Sequence, residues 1–208
     1  MNIERKLNKI IIISSPSGAG KTTICNYLVK KYQDINLSIS YTTRNRRNNE
    51  INGKNYYFVT DNKFKELKNK NYFIETAKVF NNYYGSPYLN IKKSFKKNSH
   101  ILFDIDWQGA RKLRKKFHKD EIIDFFILPP NKKELKRRLI KRGRDNNNEI
   151  KLRLSLALEE MKHFNEYKHV LINENIKSTV KNLAKIIDYS IFTEKNSINL
   201  NKKLKLFK

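Results

Sequence analysis

The chain has 208 residues, of which 38% are hydrophobic, so it is long enough for one globular domain with a buried core and is not a wholly disordered chain. Its formal charge of +25, from 45 Lys and Arg against 20 Asp and Glu, would attract nucleic acid, anionic lipid and polyphosphates alike. One cysteine excludes an internal disulfide, and no apolar run approaches the roughly 18 residues of a membrane span, so we expect a cytoplasmic protein without a membrane partner.

Continuous apolar runs along the chain predict buried parallel strands. They lie at 10–14, 100–106, 122–128 and 169–173. Stretches of helical composition alternate with these runs. They lie at 21–33, 108–117, 132–142 and 150–164. This alternation predicts an α/β fold, with a mostly parallel sheet flanked by helices.

Three segments depart from the alternation. Residues 41–87 are rich in Tyr, Asn and charge and contain short strand-like pieces, which predicts an inserted small α+β subdomain. Residues 138–153 contain Gly143 followed by Arg-Asp-Asn-Asn-Asn and are typical of a helical lid. Residues 194–208 form a basic tail that we expect to be frayed. We expect a single domain, 1–208, whose core consists of residues of about 1–40, 88–137 and 154–193.

A phosphate-binding motif joins the first predicted strand to the first predicted helix. Residues 15–22 match GxxxxGK[ST] at every fixed position except the first, where Ser15 replaces Gly. Lys21 would reach the β- and γ-phosphates of a nucleotide, and the Thr22 hydroxyl would bind Mg²⁺. Because non-glycine residues rarely adopt positive φ, we expect a negative φ at Ser15. The alternative is an ordinary strand-to-helix turn with a chance lysine. The predicted nucleotide contacts are Ser15, Pro16, Ser17, Gly18, Ala19, Gly20, Lys21, Thr22 and Thr23.

Several further motifs follow in a fixed order. Residues 38–59 read SISYTTRNRRNNEINGKNYYFV, and they are followed by Phe-Ile-Glu at 73–75, Asn-Tyr-Tyr-Gly-Ser at 82–86 and Asp-Ile-Asp-Trp-Gln-Gly at 104–109. These motifs resemble those of the guanylate kinases, and the resemblance extends from about residue 10 to residue 187. It implies the phosphorylation of GMP, and of dGMP, to GDP, with ATP as the donor and Mg²⁺ as the cofactor. It also places GMP on the insertion 41–87.

Four residues of these motifs suit a phosphate dianion. Arginine guanidinium groups donate forked, bidentate hydrogen bonds, and tyrosine hydroxyls add neutral donors. By resemblance, the residues that hold the phosphate of GMP are Arg44, Arg47, Tyr56 and Tyr84. Taken singly, the arginines could be solvated surface charges and the tyrosines core aromatics. Two nearby positions depart from the family, since Arg46 stands where Pro is usual and Asn49 where Gly is usual.

Another four residues suit guanine. A carboxylate that faces the N1–H and N2–H donors, with a hydroxyl that faces O6, would reject adenine, whose edge has the opposite pattern. By resemblance, the guanine contacts are Glu75, Ser40, Ser86 and Asp106. Asp104 would help to hold Mg²⁺ through water. Alternatively, one of the two aspartates caps the helix that begins near residue 108.

Arginines after the third predicted strand resemble those of the family's lid. Arg138 and Arg142 are four residues apart and share a helix face, while Arg153 lies on the next helix. Guanidinium groups brought in by lid closure would stabilise the transferred phosphoryl group. The resemblance assigns Arg138 and Asn173 to ATP, and it makes Lys21, Arg44, Arg142 and Arg153 catalytic. Solvation on helix surfaces is the alternative for the lid arginines.

Other functions remain open at this point. The same loop would serve a kinase for another nucleoside monophosphate. Guanylate-kinase-like modules that only bind protein partners typically have degraded phosphate loops, whereas Lys21 and Thr22 are intact here. The basic residues are spread along the chain, so nucleic acid is expected only as a nonspecific, charge-driven partner. Either a monomer or a homodimer is compatible with the sequence.

Overall fold

A computed structural model describes residues 8–79, 81–141 and 147–204. The strands are β1 (Ile10–Ser14), β2 (Ile35–Leu37), β3 (Tyr41–Thr42), β4 (Tyr57–Phe58), β5 (Phe73–Val79), β6 (Asn82–Pro87), β7 (His100–Asp104), β8 (Ile122–Leu128) and β9 (His169–Ile172). The helices are α1 (Lys21–Lys31), α2 (Asp61–Asn69), α3 (Tyr88–Lys96), α4 (Trp107–Arg114), α5 (Lys132–Lys141), α6 (Asn147–Met161) and α7 (Ile176–Leu204). Single 3-10 turns lie at Lys119–Glu121 and Phe164–Glu166.

Five strands form a parallel sheet in the order β2-β7-β1-β8-β9. β1 lies at its centre, and all five of its residues are buried, as expected for an apolar run with helices over both faces. The prediction of an α/β fold with a mostly parallel sheet is confirmed. The carboxyl ends of β1 and β7 therefore lie side by side, at the edge where parallel sheets hold ligands.

Alternate residues of β1 supply the two halves of the core. Ile11 and Ile13 pack among apolar side chains of α1 and α7, while Ile10 and Ile12 pack among those of α3 and α4. Each fully buried isoleucine contributes about 1.5–3 kcal/mol relative to an exposed one. The central strand is thus held from both sides, which makes the loop that follows it a firmly supported platform.

A second sheet is built from the segment 41–87, in the order β4-β3-β6-β5. β6 pairs antiparallel with both β3 and β5, and β3 pairs parallel with β4. Phe64 of α2 stacks on Phe73 of β5 with ring centroids 4.7 Å apart. A Cβ atom at Gly85 would meet Phe73 at 2.9 Å, so the close packing of β6 on these rings requires glycine there. This aromatic cluster is a small core of its own beneath the sheet.

Helix α7 is longer than the sequence led us to expect. It runs to Leu204, so residues 194–204 are helical where we expected a frayed tail; residues 205–208 lie outside the described ranges. Its first half packs Leu183 and Ile187 on the sheet, and the Glu194 carboxylate pairs with the ammonium of Lys9. The Lys9–Glu194 pair therefore holds the helix beyond its buried apolar contacts. Neither α7 nor any other helix in the described ranges is long and apolar enough to cross a membrane.

Candidate active site

A cavity of about 790 Å³ lies between the two sheets. Its lining comes from the loop after β1, the end of β7, the second sheet and α6. Most of the residues selected from the sequence contribute to it: Ser15, Pro16, Ser17, Gly18, Gly20, Lys21, Thr22, Ser40, Arg44, Arg47, Tyr56, Glu75, Tyr84, Asp104, Asp106 and Arg153. The structure therefore brings the residues of both proposed nucleotide sites to one cavity.

The loop at residues 15–20 has the shape of an anion cradle. Gly18 and Gly20 have φ of 94° and 97°, and positive φ does not occur at Ser15, as we expected. Gly20 is the N-cap of α1, which has no side-chain cap and no acidic residue in its first turn. The backbone amides at the start of α1 therefore carry the positive end of the helix dipole, and they lie on the cavity side of the loop. This arrangement suits a phosphate.

Lys21 and Thr22 both bind Asp104 at the end of β7. The Lys21 ammonium lies 2.8 Å from Asp104 Oδ1 and donates to the Ile105 carbonyl at 3.0 Å. The Thr22 hydroxyl donates to Asp104 Oδ2 at 2.9 Å. Burial acts to lower the pKa of Lys21, but the charge and hydrogen bond of Asp104 outweigh it, so the pKa is raised and the lysine is held charged.

The same pair of oxygens suits magnesium. Mg²⁺ prefers oxygen ligands and is usually held by one or two protein groups together with phosphates and water, so the adjacent Thr22 hydroxyl and Asp104 carboxylate fit it. Within residues 8–79, 81–141 and 147–204, no three His, Cys, Asp or Glu side chains cluster closely enough to hold a metal by themselves. The ion would therefore be shared with the nucleotide.

Glu50 organises the two arginines of the insertion. Arg44 Nη2 lies 2.8 and 3.1 Å from the two Glu50 oxygens, and the Arg47 amide donates to Glu50 Oε2 at 2.8 Å. Arg46 donates to the Glu50 backbone carbonyl at 2.8 Å and does not line the cavity. The guanidinium of Arg44 also lies over the Tyr56 ring, 5.5 Å from its centroid. Glu50 therefore fixes the direction in which the Arg44 fork points.

Positive charge accumulates on this side of the cavity. Burial lowers the pKa of Arg47, and the nearby charges of Arg44 and Arg153 lower it further, only partly opposed by Glu50. Burial raises the pKa of Tyr56, so its hydroxyl remains a donor. Three guanidinium groups and a phenol converge on space that Tyr84 also lines. Such a set favours a bound dianion, which would relieve the repulsion among the arginines.

The second sheet also contributes a buried carboxylate, that of Glu75, to the cavity. Glu75 is only 4% exposed, and its Oε1 accepts a hydrogen bond of 2.6 Å from the Ser86 hydroxyl, which in turn lies 3.0 Å from the Ser40 hydroxyl. Burial raises the pKa of Glu75 to about 7, and the charge of Asp106 adds to this while the bond from Ser86 opposes it. Such a desolvated carboxylate would bind a pair of N–H donors strongly.

Asp106 has a second role that reduces its freedom. β7 ends at Asp104 rather than at residue 106, and Asp106 is the N-cap of α4, with Oδ1 accepting from the Gly109 amide at 2.9 Å. Its other oxygen accepts from the Gln108 side chain at 3.0 Å. The capping alternative therefore applies to Asp106. The residue still lines the cavity, so a contact with guanine would have to use the side of the carboxylate that these donors leave open.

Several predicted contacts lie outside the lining. Ser86 lies behind Glu75, and Arg142 falls outside the described residues. Asn173 is fully buried and donates to the Ala19 carbonyl at 2.7 Å, while Arg138 donates to the Asn173 carbonyl at 3.0 Å. Arg138 and Asn173 thus brace the outer side of the phosphate loop. The predicted residues that do not line the cavity are Ala19, Thr23, Ser86, Arg138 and Asn173.

Sequence reasoning missed two glutamates that the cavity contains, Glu50 and Glu160. Glu160, in the last turn of α6, accepts a hydrogen bond from the Ser17 amide at 2.9 Å. Glu50 stands three residues after Arg47, so its place in the motif was a usable signal. Glu160 gave no such signal, because a glutamate on a charged helix usually faces solvent.

Comparison with known proteins identifies the family. The model of the family described as guanylate kinase matches residues 7–190. The chain is 46% identical over 178 residues to a guanylate kinase of Rickettsia prowazekii, which covers 86% of this chain and 89% of the relative. It is 40% identical over 202 residues to a guanylate kinase of Caldanaerobacter subterraneus, which covers 97% and 95%. A crystal structure of guanylate kinase from Anaplasma phagocytophilum superposes with a TM-score of 0.74 at 34% identity, covering 89% of this chain and 87% of that one. The chain belongs to the guanylate kinase family.

Proposed function

We propose that this protein transfers the γ-phosphoryl group of ATP to GMP, with the phosphate loop holding the donor and the second sheet holding the acceptor. The chain is an enzyme of the guanylate kinase family, and ATP-dependent phosphorylation of GMP to GDP is its reaction. The observation that supports the proposed division of the site is the shared cavity. Lys21 lines one side of it, and Arg44 and Glu75 line the other.

Acceptor choice would come from Glu75. Its carboxylate can accept from both N1–H and N2–H of guanine, and the Ser40 hydroxyl, which lines the cavity beside it, can donate to O6. The Ser86 hydroxyl already donates to Glu75 and so supports the carboxylate. Adenine would present an acceptor, N1, to a buried carboxylate and leave it unpaired. Such a mismatch costs several kcal/mol, which corresponds to a discrimination of about a thousandfold or more. Nothing in this contact distinguishes ribose from deoxyribose, so dGMP is also an expected acceptor.

The chemistry would rest on position and charge. A phosphate dianion is already a competent nucleophile, so in-line transfer needs no covalent intermediate and no general base. Lys21 on the donor side and Arg44, Arg47 and Arg153 on the acceptor side surround the space where negative charge spreads in the transition state. Because one cavity would hold both ATP and GMP, the transfer would also be accelerated by the proximity of the two reacting phosphates. Arg142, which lies outside the described residues, stays a prediction.

Magnesium is part of this proposal. Thr22 and Asp104 would hold it beside the donor phosphates. When bound, it supplies neutralising charge at the transferred phosphoryl oxygens. Asp104 would then give up part of its contact with Lys21 in favour of Mg²⁺, and the Lys21 ammonium would be available to the phosphates.

The rival functions are not favoured. A kinase for another monophosphate would share the phosphate loop but has no use for a buried Glu75 next to two serine hydroxyls. A module that only binds proteins would not need an intact Lys21 bonded to Asp104. A cytoplasmic location, a monomeric or dimeric state and nonspecific contact with nucleic acid stay predictions.

The experiment is a coupled assay of ADP release with ATP, Mg²⁺ and a panel of acceptors. We expect turnover with GMP and dGMP, and kcat/KM at least about a thousandfold lower with AMP, CMP, UMP and dTMP. The Lys21→Ala variant, prepared in parallel, controls for contaminating kinases. Preferential use of another monophosphate would contradict the assignment of Glu75, and the absence of turnover with every acceptor would contradict the reaction itself.

A further inference from the structure

Glu160 binds the phosphate loop directly from α6. Its Oε2 atom accepts a hydrogen bond from the Ser17 amide at 2.9 Å, and its side chain lines the same cavity as Gly18 and Lys21. Ser17 is the third residue of the loop, and the backbone amides of such loops are the groups that bind phosphate oxygens. A side-chain anion is therefore bonded to a donor that suits a phosphate.

The surroundings of Glu160 disfavour a negative charge on its carboxyl group. Burial raises the pKa of Glu160, and the charge of Asp106 raises it further, while the bond from Ser17 and the charge of Lys21 act in the opposite direction. The carboxylate is thus desolvated and lies in the field of another carboxylate. If ATP takes the Ser17 amide, this carboxylate loses its donor in a largely buried site, and that loss opposes the binding of ATP.

The position of Glu160 on α6 links it to Arg153. The two residues are seven apart, which is close to two helical turns, so they lie on the same face, and both line the cavity. α6 therefore presents one cation and one anion to the same space. The cation favours a polyphosphate there and the anion opposes it, since like charges repel appreciably in a partly buried site.

We propose that Glu160 is a positioning residue that competes with the phosphates of ATP for the Ser17 amide, and that it thereby weakens the binding of the donor. The carboxylate holds the tip of the loop in its phosphate-binding shape, and ATP must displace it to bind. Because the effect is exerted on the loop, it concerns ATP and ADP and not GMP. This inference rests on the proposed assignment of ATP to the phosphate loop.

Two isosteric substitutions separate this competition from a general effect of charge. Glu160→Gln keeps an oxygen that can accept from Ser17 but removes the negative charge. Glu159→Gln removes the same charge one residue earlier, where the side chain is 64% exposed and pairs with Lys162 at 2.7 Å. Both variants change the net charge of the protein by one unit. Only Glu160→Gln changes the phosphate loop.

The experiment measures the dissociation constants of ATP, ADP and GMP by calorimetry at fixed ionic strength for the unsubstituted protein and both variants. We expect Glu160→Gln to bind ATP about tenfold more tightly, which corresponds to about 1.4 kcal/mol, with a gain for ADP in the same direction. GMP affinity should stay within about twofold, and Glu159→Gln should leave all three constants within about twofold. A gain in affinity is a result that mere structural damage would not produce.

Unchanged or weaker ATP binding by Glu160→Gln would overturn the inference, as would an equal gain in Glu159→Gln. If the unsubstituted protein itself fails to bind ATP, the proposed function falls and this inference with it, whereas normal ATP binding with no gain removes the inference alone. Should Glu160→Gln not fold, a crystal structure of the unsubstituted protein with a nonhydrolysable ATP analogue decides. Glu160 turned away from Ser17 supports the competition, and a retained bond of about 2.9 Å refutes it.

Discussion

Lys21 and Asp104 form an ion pair of 2.8 Å that joins the first residue of α1 to the last residue of β7. The Asp104 carboxylate also accepts from the Thr22 hydroxyl at 2.9 Å. The phosphate loop and the neighbouring strand are therefore tied together by the groups that we assign to the donor phosphates and to magnesium. A site whose charges are held in place by the fold needs little rearrangement during the reaction, which is the main source of catalysis by charged groups.

Replacing Lys21 tests the donor half of the site. We expect Lys21→Ala to lower kcat by about a hundredfold to a thousandfold, because a charge aimed at the transferred phosphoryl group is lost. GMP affinity should be nearly kept, since the acceptor side does not depend on this lysine. Lys30→Ala, which removes an exposed charge from the same helix, is the control for kcat by steady-state assay. A kcat near that of the unsubstituted enzyme would contradict the loop assignment.

Two neighbouring arginines offer a matched test of the acceptor half. Arg44 is 16% exposed in its side chain and lines the cavity, whereas Arg46 is exposed and bonds only the backbone of Glu50. We expect Arg44→Ala to weaken GMP binding by at least about tenfold, because a charge-assisted contact to phosphate is lost and Glu50 loses its partner. Arg46→Ala should change it by no more than about threefold. Calorimetric titration with GMP measures both, and equal effects would remove Arg44 from the clamp.

The raised pKa of Glu75 predicts a pH dependence of GMP binding. The carboxylate accepts guanine donors only when ionised, and its pKa is about 7, so acidification protonates it and weakens binding. Affinity should fall about tenfold between pH 8 and pH 6. The phosphate of GMP also titrates near this range, so Glu75→Gln serves as the reference. This variant should bind GMP more weakly, and its affinity should show only the pH dependence that the phosphate contributes. Identical pH profiles for the two proteins would show that Glu75 does not face the base.

Glu75 also predicts how stability changes with pH. Its pKa is about 7 in the folded protein against an ordinary value of 4.5, so between these values the unfolded chain releases a proton that the folded protein keeps. The folded state is therefore favoured at low pH, and this contribution is lost as pH rises through 7. From pH 5 to pH 8 the loss is about 2–3 kcal/mol.

Urea unfolding of the ligand-free protein at those two pH values measures this loss. Glu75→Gln lacks the titrating group, so its free energy of unfolding should decline less over the same interval. The difference between the two declines is the quantity predicted. If the unsubstituted protein and Glu75→Gln lose stability in parallel, the carboxylate is already ionised in the folded protein at pH 5, and its proposed desolvation is wrong.

The sequence by itself determined the parts of this protein that depend on neighbouring residues. The apolar runs of β1 and β8 have their predicted bounds, because a strand buried on both faces needs an unbroken apolar run. The motif from Ser15 to Thr22 was recognisable because its glycines, its lysine and its hydroxyl residue lie within eight consecutive residues. Short elements such as β2 and α3 escaped, since they hold their shape through packing on β7 and not through their own composition.

Only the tertiary structure decided how distant groups share the cavity. Thr22 and Asp104 are 82 residues apart in the chain, and Ser17 and Glu160 are 143 apart, so no local pattern announces either pair. Asp106 likewise became a helix cap because β7 ends two residues before it and α4 begins immediately after it. Local composition selects strands, helices and loops, whereas the pairing of buried polar groups follows from which chain ends the sheet brings together.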